Sequence, residues 1–264
     1  MAVQESIIDI RNITAYCGTT CVFSGFSLQV PNGCNTAILG PNGSGKSTLM
    51  KLLSRDLYPV FDGDSHVRIF GRDRWNIMEL RARLGIVSHD LQHDYLPEVP
   101  GLNVILSGFY ASIDVWKHQQ FSSDDLEKAV LVMQQLGIGE LKNRSFCSMS
   151  TGQQRRFLLG RSLINNPEAL LLDEPTTGLD MSASLHYLQT LQSMIRSGKT
   201  VVLVTHHLHE IPPEIDRVVL LKKGRIFADG KKSEVLISEI LSDLFDYPLQ
   251  VIAVNGYYQV LPAG

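Results

Sequence analysis

The stretch Gly40-Pro41-Asn42-Gly43-Ser44-Gly45-Lys46-Ser47-Thr48 limits what this chain can become more than any other. It fits G-x-x-x-x-G-K-[ST] and lies between the apolar run Thr36-Ala37-Ile38-Leu39 and the helical pattern Leu49-Met50-Lys51-Leu52-Leu53. Glycines 40, 43 and 45 let the backbone curl without Cβ clashes, so successive N–H groups can point inward at phosphate oxygens. The helix that follows adds the positive end of its dipole and its unpaired first-turn N–H groups. Lys46 is placed to neutralise β- and γ-phosphates, and the Ser47 hydroxyl to ligate Mg²⁺. The plainer alternative is a glycine-rich turn before an ordinary helix. An apolar strand before and a helix after favour the nucleotide site, formed by residues 40 to 48 with Asn42, Ser44 and Thr48 included.

The rest of the composition narrows the setting. A chain of 264 residues suits one large α/β domain or a core with a subdomain. A net charge of −3 gives no global basic field, so no nucleic-acid partner is expected. No apolar run has the length of a bilayer span, and Gln4, Glu5 and Asp9 interrupt the start, unlike a signal peptide. The expectation is a soluble, cytoplasmic protein. Cys17, Cys21, Cys34 and Cys147 lack C-x-x-C spacing and read as reduced thiols.

Alternating patterns predict strands over 7–13 and 26–30, and a buried strand over 36–39 before the loop. A further short strand is expected at 67–70. A helix is expected from Ser122 or Ser123 to Gly137, with Asp124 and Asp125 in its first turn. Residues about 90 to 150 read as a helical insertion. Ala169–Leu172 and Val201–Val204 are buried strands either side of an amphipathic helix marked by Leu185, Leu188, Leu191 and Ile195. That rhythm implies βαβ units and a parallel sheet. A hairpin follows over 218–228, and the last thirty or so residues mix a helix with short strands.

Leu170-Leu171-Leu172 runs into Asp173-Glu174, and strand C-termini line the ligand crevice of an α/β sheet. Asp173 is then a candidate Mg²⁺ ligand and Glu174 a candidate general base for an attacking water. Alone, such a pair is also a common strand-end cap; the upstream loop favours the catalytic reading. Met149-Ser150-Thr151-Gly152-Gln153 opens a helix with Ser150 as N-cap, a second terminus able to bind phosphate.

Together these residues resemble the nucleotide-binding subunit of an ATP-binding-cassette (ABC) ATPase over nearly the whole chain. Gly40–Thr48 matches Walker A, Ala169–Glu174 Walker B, and Met149–Gln153 the signature, usually Leu-Ser-Gly-Gly-Gln. Thr177-Gly178-Leu179-Asp180 matches the D-loop, His206 the switch histidine, and Tyr16 the aromatic that stacks on adenine. The resemblance implies a RecA-like, mainly parallel α/β core with an antiparallel β subdomain over about 1–90 and 157–235. It implies a helical subdomain over about 91–156 and a C-terminal extension over about 236–264.

It implies as well a head-to-tail dimer that hydrolyses ATP with Mg²⁺, either a homodimer or a pairing with a related ATPase subunit. Gly43, Lys46, Ser47 and Thr48 of one subunit hold ATP, the partner's signature residues Ser150, Thr151, Gly152 and Gln153 cap it, and His206 meets the γ-phosphate. Separate membrane subunits on the cytoplasmic face are expected, contacted through Pro97–Ser107. A stand-alone ABC ATPase with a regulatory, ribosomal or nucleic-acid role is the alternative, and the acidic pI argues against the last two. His207 and His209 are expected to be surface or helix-start residues rather than metal ligands. Two departures stand out. Thr151 replaces a signature glycine, and its methyl is expected to crowd the partner. His89 stands where the family has the glutamine that senses Mg²⁺ and water, with Gln92 as a substitute candidate.

Overall fold

The computed structural model describes residues 6–88, 91–96 and 98–263. The expectations for His89 and Pro97 lie outside the described residues. The chain forms two compact units, one of the residues up to Trp75 with those from Thr200 onward, the other of Asn76–Lys199. The second takes in strands and two helices flanking the 91–156 block as well as that block.

The chain starts with a long antiparallel pair, β1 (Ser6–Cys17) and β2 (Thr20–Pro31), joined at Cys17 and Thr20. Both strands run well past the stretches their alternation predicts. Bulges between Ile10 and Tyr16 break the two-residue period, and Asn12 and Gly25 take positive φ. Next come β3 (Thr36–Leu39), α1 (Lys46–Ser54) and β4 (His66–Ile69), the last on the free edge of β1.

The middle unit begins with α2 (Ile77–Arg83) and β5 (Leu84–Val87), then α3 (Leu91–Asp94) and α4 (Gly101–Leu106). Helix α5 (Ser123–Gln135) starts at the predicted place; Ser122 and Asp125 cap each other reciprocally. Helix α6 (Thr151–Leu163), β6 (Ala169–Asp173) and α7 (Met181–Arg196) complete the unit. Strand β6 pairs parallel with β5, and its first four residues are fully buried.

On return, β7 (Thr200–Thr205) lies parallel to β3, whose other side takes β8 (Arg217–Lys222), also parallel. All residues of β3 and β7 are buried, as strands covered on both faces require. Strand β9 (Arg225–Lys231) closes a hairpin on β8. The C-terminal part adds α8 (Lys232–Val235), α9 (Ser238–Phe245) and a separate hairpin of β10 (Leu249–Val254) and β11 (Tyr257–Pro262). Its turn, Asn255-Gly256, has positive φ at both positions, the geometry for which that dipeptide is favoured. Among the described residues no helix is long and apolar enough to cross a membrane.

Candidate nucleotide site

The phosphate loop leaves the C-terminal end of β3. Leu39 pairs with Thr205 of β7, so Gly40 and His206 emerge side by side from adjacent parallel strands. Gly43 and Gly45 have φ of 77° and 109°, values that a side chain resists. Gly40 is glycine for a different reason: a Cβ there would strike the Leu221 carbonyl of β8. Gly45 sits against the Phe23 ring, 3.0 Å from where its Cβ would be, which ties the loop to β2.

Helix α1 starts at Gly45 with no side-chain cap, so its first-turn N–H groups remain for an outside acceptor. Lys46 is buried and folds back, donating to the carbonyls of Gly40 at 2.7 Å and Pro41 at 3.1 Å. The Ser44 hydroxyl is buried without a hydrogen-bond partner. Orphaned hydroxyl, uncapped helix and ammonium together fit an anionic phosphate chain. Ser47 is exposed on the first turn, Thr48 is buried beneath it, and Asn42 is exposed at the loop's crest.

Tyr16 lies opposite Cys21 near the tip of the β1–β2 hairpin and is 44% exposed, a flat face open to an aromatic ring. Ala15 pairs with Phe23, the residue packed on Gly45, so the same hairpin end carries Tyr16 and braces the loop. Beyond His206 the chain is held by Thr205, whose hydroxyl donates to the buried Glu210 carboxylate and accepts from His207 N–H at 2.9 Å. The His206 and His207 rings are 3.8 Å apart. His209 follows at 5.0 Å from His207, exposed on a short 3₁₀ turn.

In the middle unit Val87 of β5 pairs with Leu172 of β6, so Ser88 and Asp173 leave the same sheet edge. Glu174 has φ of 44°, an uncommon left-handed backbone for a non-glycine residue and one found at functional turns. The turn is pinned by Thr177, whose N–H donates to the Glu174 carbonyl at 3.2 Å. Asp180 caps α7 by accepting from Ala183 N–H at 2.8 Å. Ser47 in the first unit carries a hydroxyl and Asp173 in the second a carboxylate, each an oxygen donor of the kind a hard divalent cation takes.

The signature helix α6 starts in a capping box. Ser150 accepts from Gln153 N–H at 3.3 Å, and Gln153 accepts from Ser150 N–H at 2.9 Å. Gly152 packs on α7: a Cβ there would come within 2.9 Å of the Ala183 methyl. The Thr151 methyl lies near its own chain's Gly178, 3.9 Å from the Cβ position there. Sequence reasoning named Gln92 only for water sensing and missed Gln154. Their amides are bonded to each other at 2.6 Å. It also missed Arg155, a fully buried cation in α6 whose charge beside Arg156 reads as surface.

Residues 23–177 match the family described as ABC transporter. An uncharacterised ABC transporter ATP-binding protein, YlmA of Bacillus subtilis, is 33% identical over 250 residues, 93% of each chain. The hemin import ATP-binding protein HmuV of Aliivibrio fischeri is 30% identical over 261 residues, covering 96% of this chain and 95% of that one. The ATP-binding cassette MJ0796, solved as a dimer in a post-hydrolysis state with ADP and Pi, superposes with a TM-score of 0.70 at 26% identity. That match covers 85% of this chain and 98% of the other.

Proposed function

The chain belongs to the ABC transporter family and is an ATP-binding subunit of that class; from this premise we propose what its individual residues do. The observation that carries the reading is the uncapped start of α1, with the orphaned Ser44 hydroxyl and the inward-folded Lys46 beside it. ATP enters with its phosphates over Gly40–Thr48; Lys46 exchanges its two carbonyl partners for β- and γ-oxygens, and the α1 amides take the remaining charge. Tyr16 stacks on the adenine.

Ser47 and Asp173, with His89 as a further ligand, would hold Mg²⁺, which would supply positive charge against the triphosphate. Glu174 takes a proton from the water whose oxygen attacks the γ-phosphorus, and the bond to the ADP oxygen breaks. His206 donates to a γ-phosphate oxygen and holds that group while charge redistributes. The site is completed by a second subunit, whose Ser150 and Gly152, with Thr151 and Gln153 in the same turn, close on the nucleotide and whose Asp180 orders the D-loop. The MJ0796 cassette, a dimer bound to ADP and Pi, supports the pairing of two subunits. Ser150 spends only a lone pair on its helix cap, so its O–H remains to donate to phosphate. Movement of the dimer is passed to separate membrane subunits on the cytoplasmic face.

Glu174→Gln keeps the ATP site and removes the base. It lowers turnover by about a hundredfold or more, and ATP then holds a dimer stable to size exclusion. A variant that binds ATP yet elutes only as a monomer would count against the shared site. Affinity capture from solubilised membranes is expected to bring down membrane-spanning subunits; recovery of ribosomes or DNA alone would sink the transport assignment.

A further inference from the structure

The segment after β5 grips the signature helix from both sides of its start. Gln92 of α3 donates through Nε2 to Oε1 of Gln154 at 2.6 Å, and Gln154 donates in turn to the Phe146 carbonyl at 2.9 Å. Phe146 lies just before the signature and Gln154 just after it. Three residues along, the buried Tyr95 ring packs on Phe146 with centroids 5.2 Å apart, and its hydroxyl meets the Ser107 hydroxyl at 2.9 Å. Arg161, near the far end of α6, donates to that same Ser107 hydroxyl at 3.3 Å.

The orientation of the two amides is dictated by their partners. Turning Gln154 over would set its carbonyl against that of Phe146 and its amino group against that of Gln92, losing both bonds. Gln154 is thus filled at both ends, and the N-terminal turn of α6 is fixed to the backbone before it and to α3 at once. Holding two long side chains in one geometry costs conformational entropy that an apolar pair would largely avoid. The polar link is directional where an apolar contact would slide.

We infer that Gln92 is a positioning residue: through Gln154 it sets the angle and firmness with which the start of α6 presents Ser150. It ties that presentation to α3, the helix that follows β5 in the chain. The inference extends the shared-site reading above and rests on it for its functional consequence, while the clasp itself is a property of one chain. It also gives Gln92 a duty other than sensing water, since its amide nitrogen is engaged by the signature helix.

Two readouts test it. In the nucleotide-free protein, Gln92→Leu is expected to speed amide exchange over 146–157 by about fivefold, the worth of one lost hydrogen bond. Gln154→Leu, which also gives up the bond to the Phe146 carbonyl, is expected to have the larger effect, and the double variant is no worse than Gln154→Leu alone. Exchange unchanged in Gln92→Leu, or effects that simply add, would overturn the clasp; Gln92→Ala guards against misfolding. In a Glu174→Gln background, Gln92→Leu is expected to weaken ATP-driven dimerisation by about fivefold or more while ATP affinity of the monomer stays put. Equal loss of monomer ATP affinity would mark a general structural defect and overturn the positioning role. If Glu174→Gln alone never dimerises, the shared site fails, and amide exchange still decides whether the clasp holds α6.

Discussion

Two helix starts in this molecule are built from opposite principles. Helix α1 opens on Gly45 with no cap, a partnerless buried hydroxyl and a lysine turned inward. Helix α6 opens on Ser150 with a complete capping box. An uncapped helix end is costly unless something external meets its N–H groups. The first is therefore half of a complex awaiting an anion, whereas the second is satisfied within its own chain and can only add a donor to a ligand held elsewhere. On the proposed function, affinity belongs to α1 and closure to α6.

The largest test of that division is Lys46→Ala. It is expected to lower ATP affinity of the monomer about a hundredfold, while Ser150→Ala leaves it within about twofold, both read by titration with a fluorescent ATP analogue. A comparable loss in both would erase the distinction. Gly45→Ala comes next. Left-handed backbone costs about 1–2 kcal/mol, and the Phe23 ring must also move, so urea unfolding should show a loss of that size together with weaker ATP binding. Ser150→Ala, by contrast, is expected to cost about 1 kcal/mol of stability through its lost cap and to weaken ATP-driven dimerisation with no change in ATP uptake.

The smallest effect sharpens the picture through pH. Helix α5 has the same kind of box as α6, but its third residue is Asp125 where α6 has Gln153. The backbone N–H of Ser122 and then its hydroxyl hold the Asp125 carboxyl below the usual aspartate range. A carboxylate whose folded pKa is depressed contributes stability that is present above its unfolded pKa and disappears as pH falls through the folded one. Acidification past the ordinary aspartate range should therefore loosen the first turn of α5 before that of α6, whose glutamine does not titrate. Residue-resolved amide exchange between neutral pH and pH of about 3 checks the order.

What could be read from the sequence followed how local the chemistry is. The phosphate loop, the strand ending at Asp173 and the cap at Ser150 each depend on neighbours within a few residues, and each has the expected local structure. The long β1–β2 pair was only half legible because its bulges shift which face the side chains take, so alternation fades near Tyr16. The C-terminal hairpin did carry a signal in Asn255-Gly256, between two β-rich runs. Packing reasons stayed hidden. Nothing in Thr151-Gly152-Gln153 tells that Gly152 abuts Ala183 or that the Thr151 methyl lies near Gly178. The Gln92–Gln154 bond joins residues sixty-two positions apart and has no local signature.

The floor beneath the phosphate loop has a practical corollary. Gly40 rests on the carbonyl of Leu221, and the Ser44 carbonyl accepts from Gly224 N–H at 3.0 Å, so the hollow takes its shape from a hairpin nearly two hundred residues downstream. A fragment trimmed to the family match at 23–177 keeps every letter of the loop and lacks its foundation. A nascent chain that has not yet reached β8 and β9 lacks the same floor.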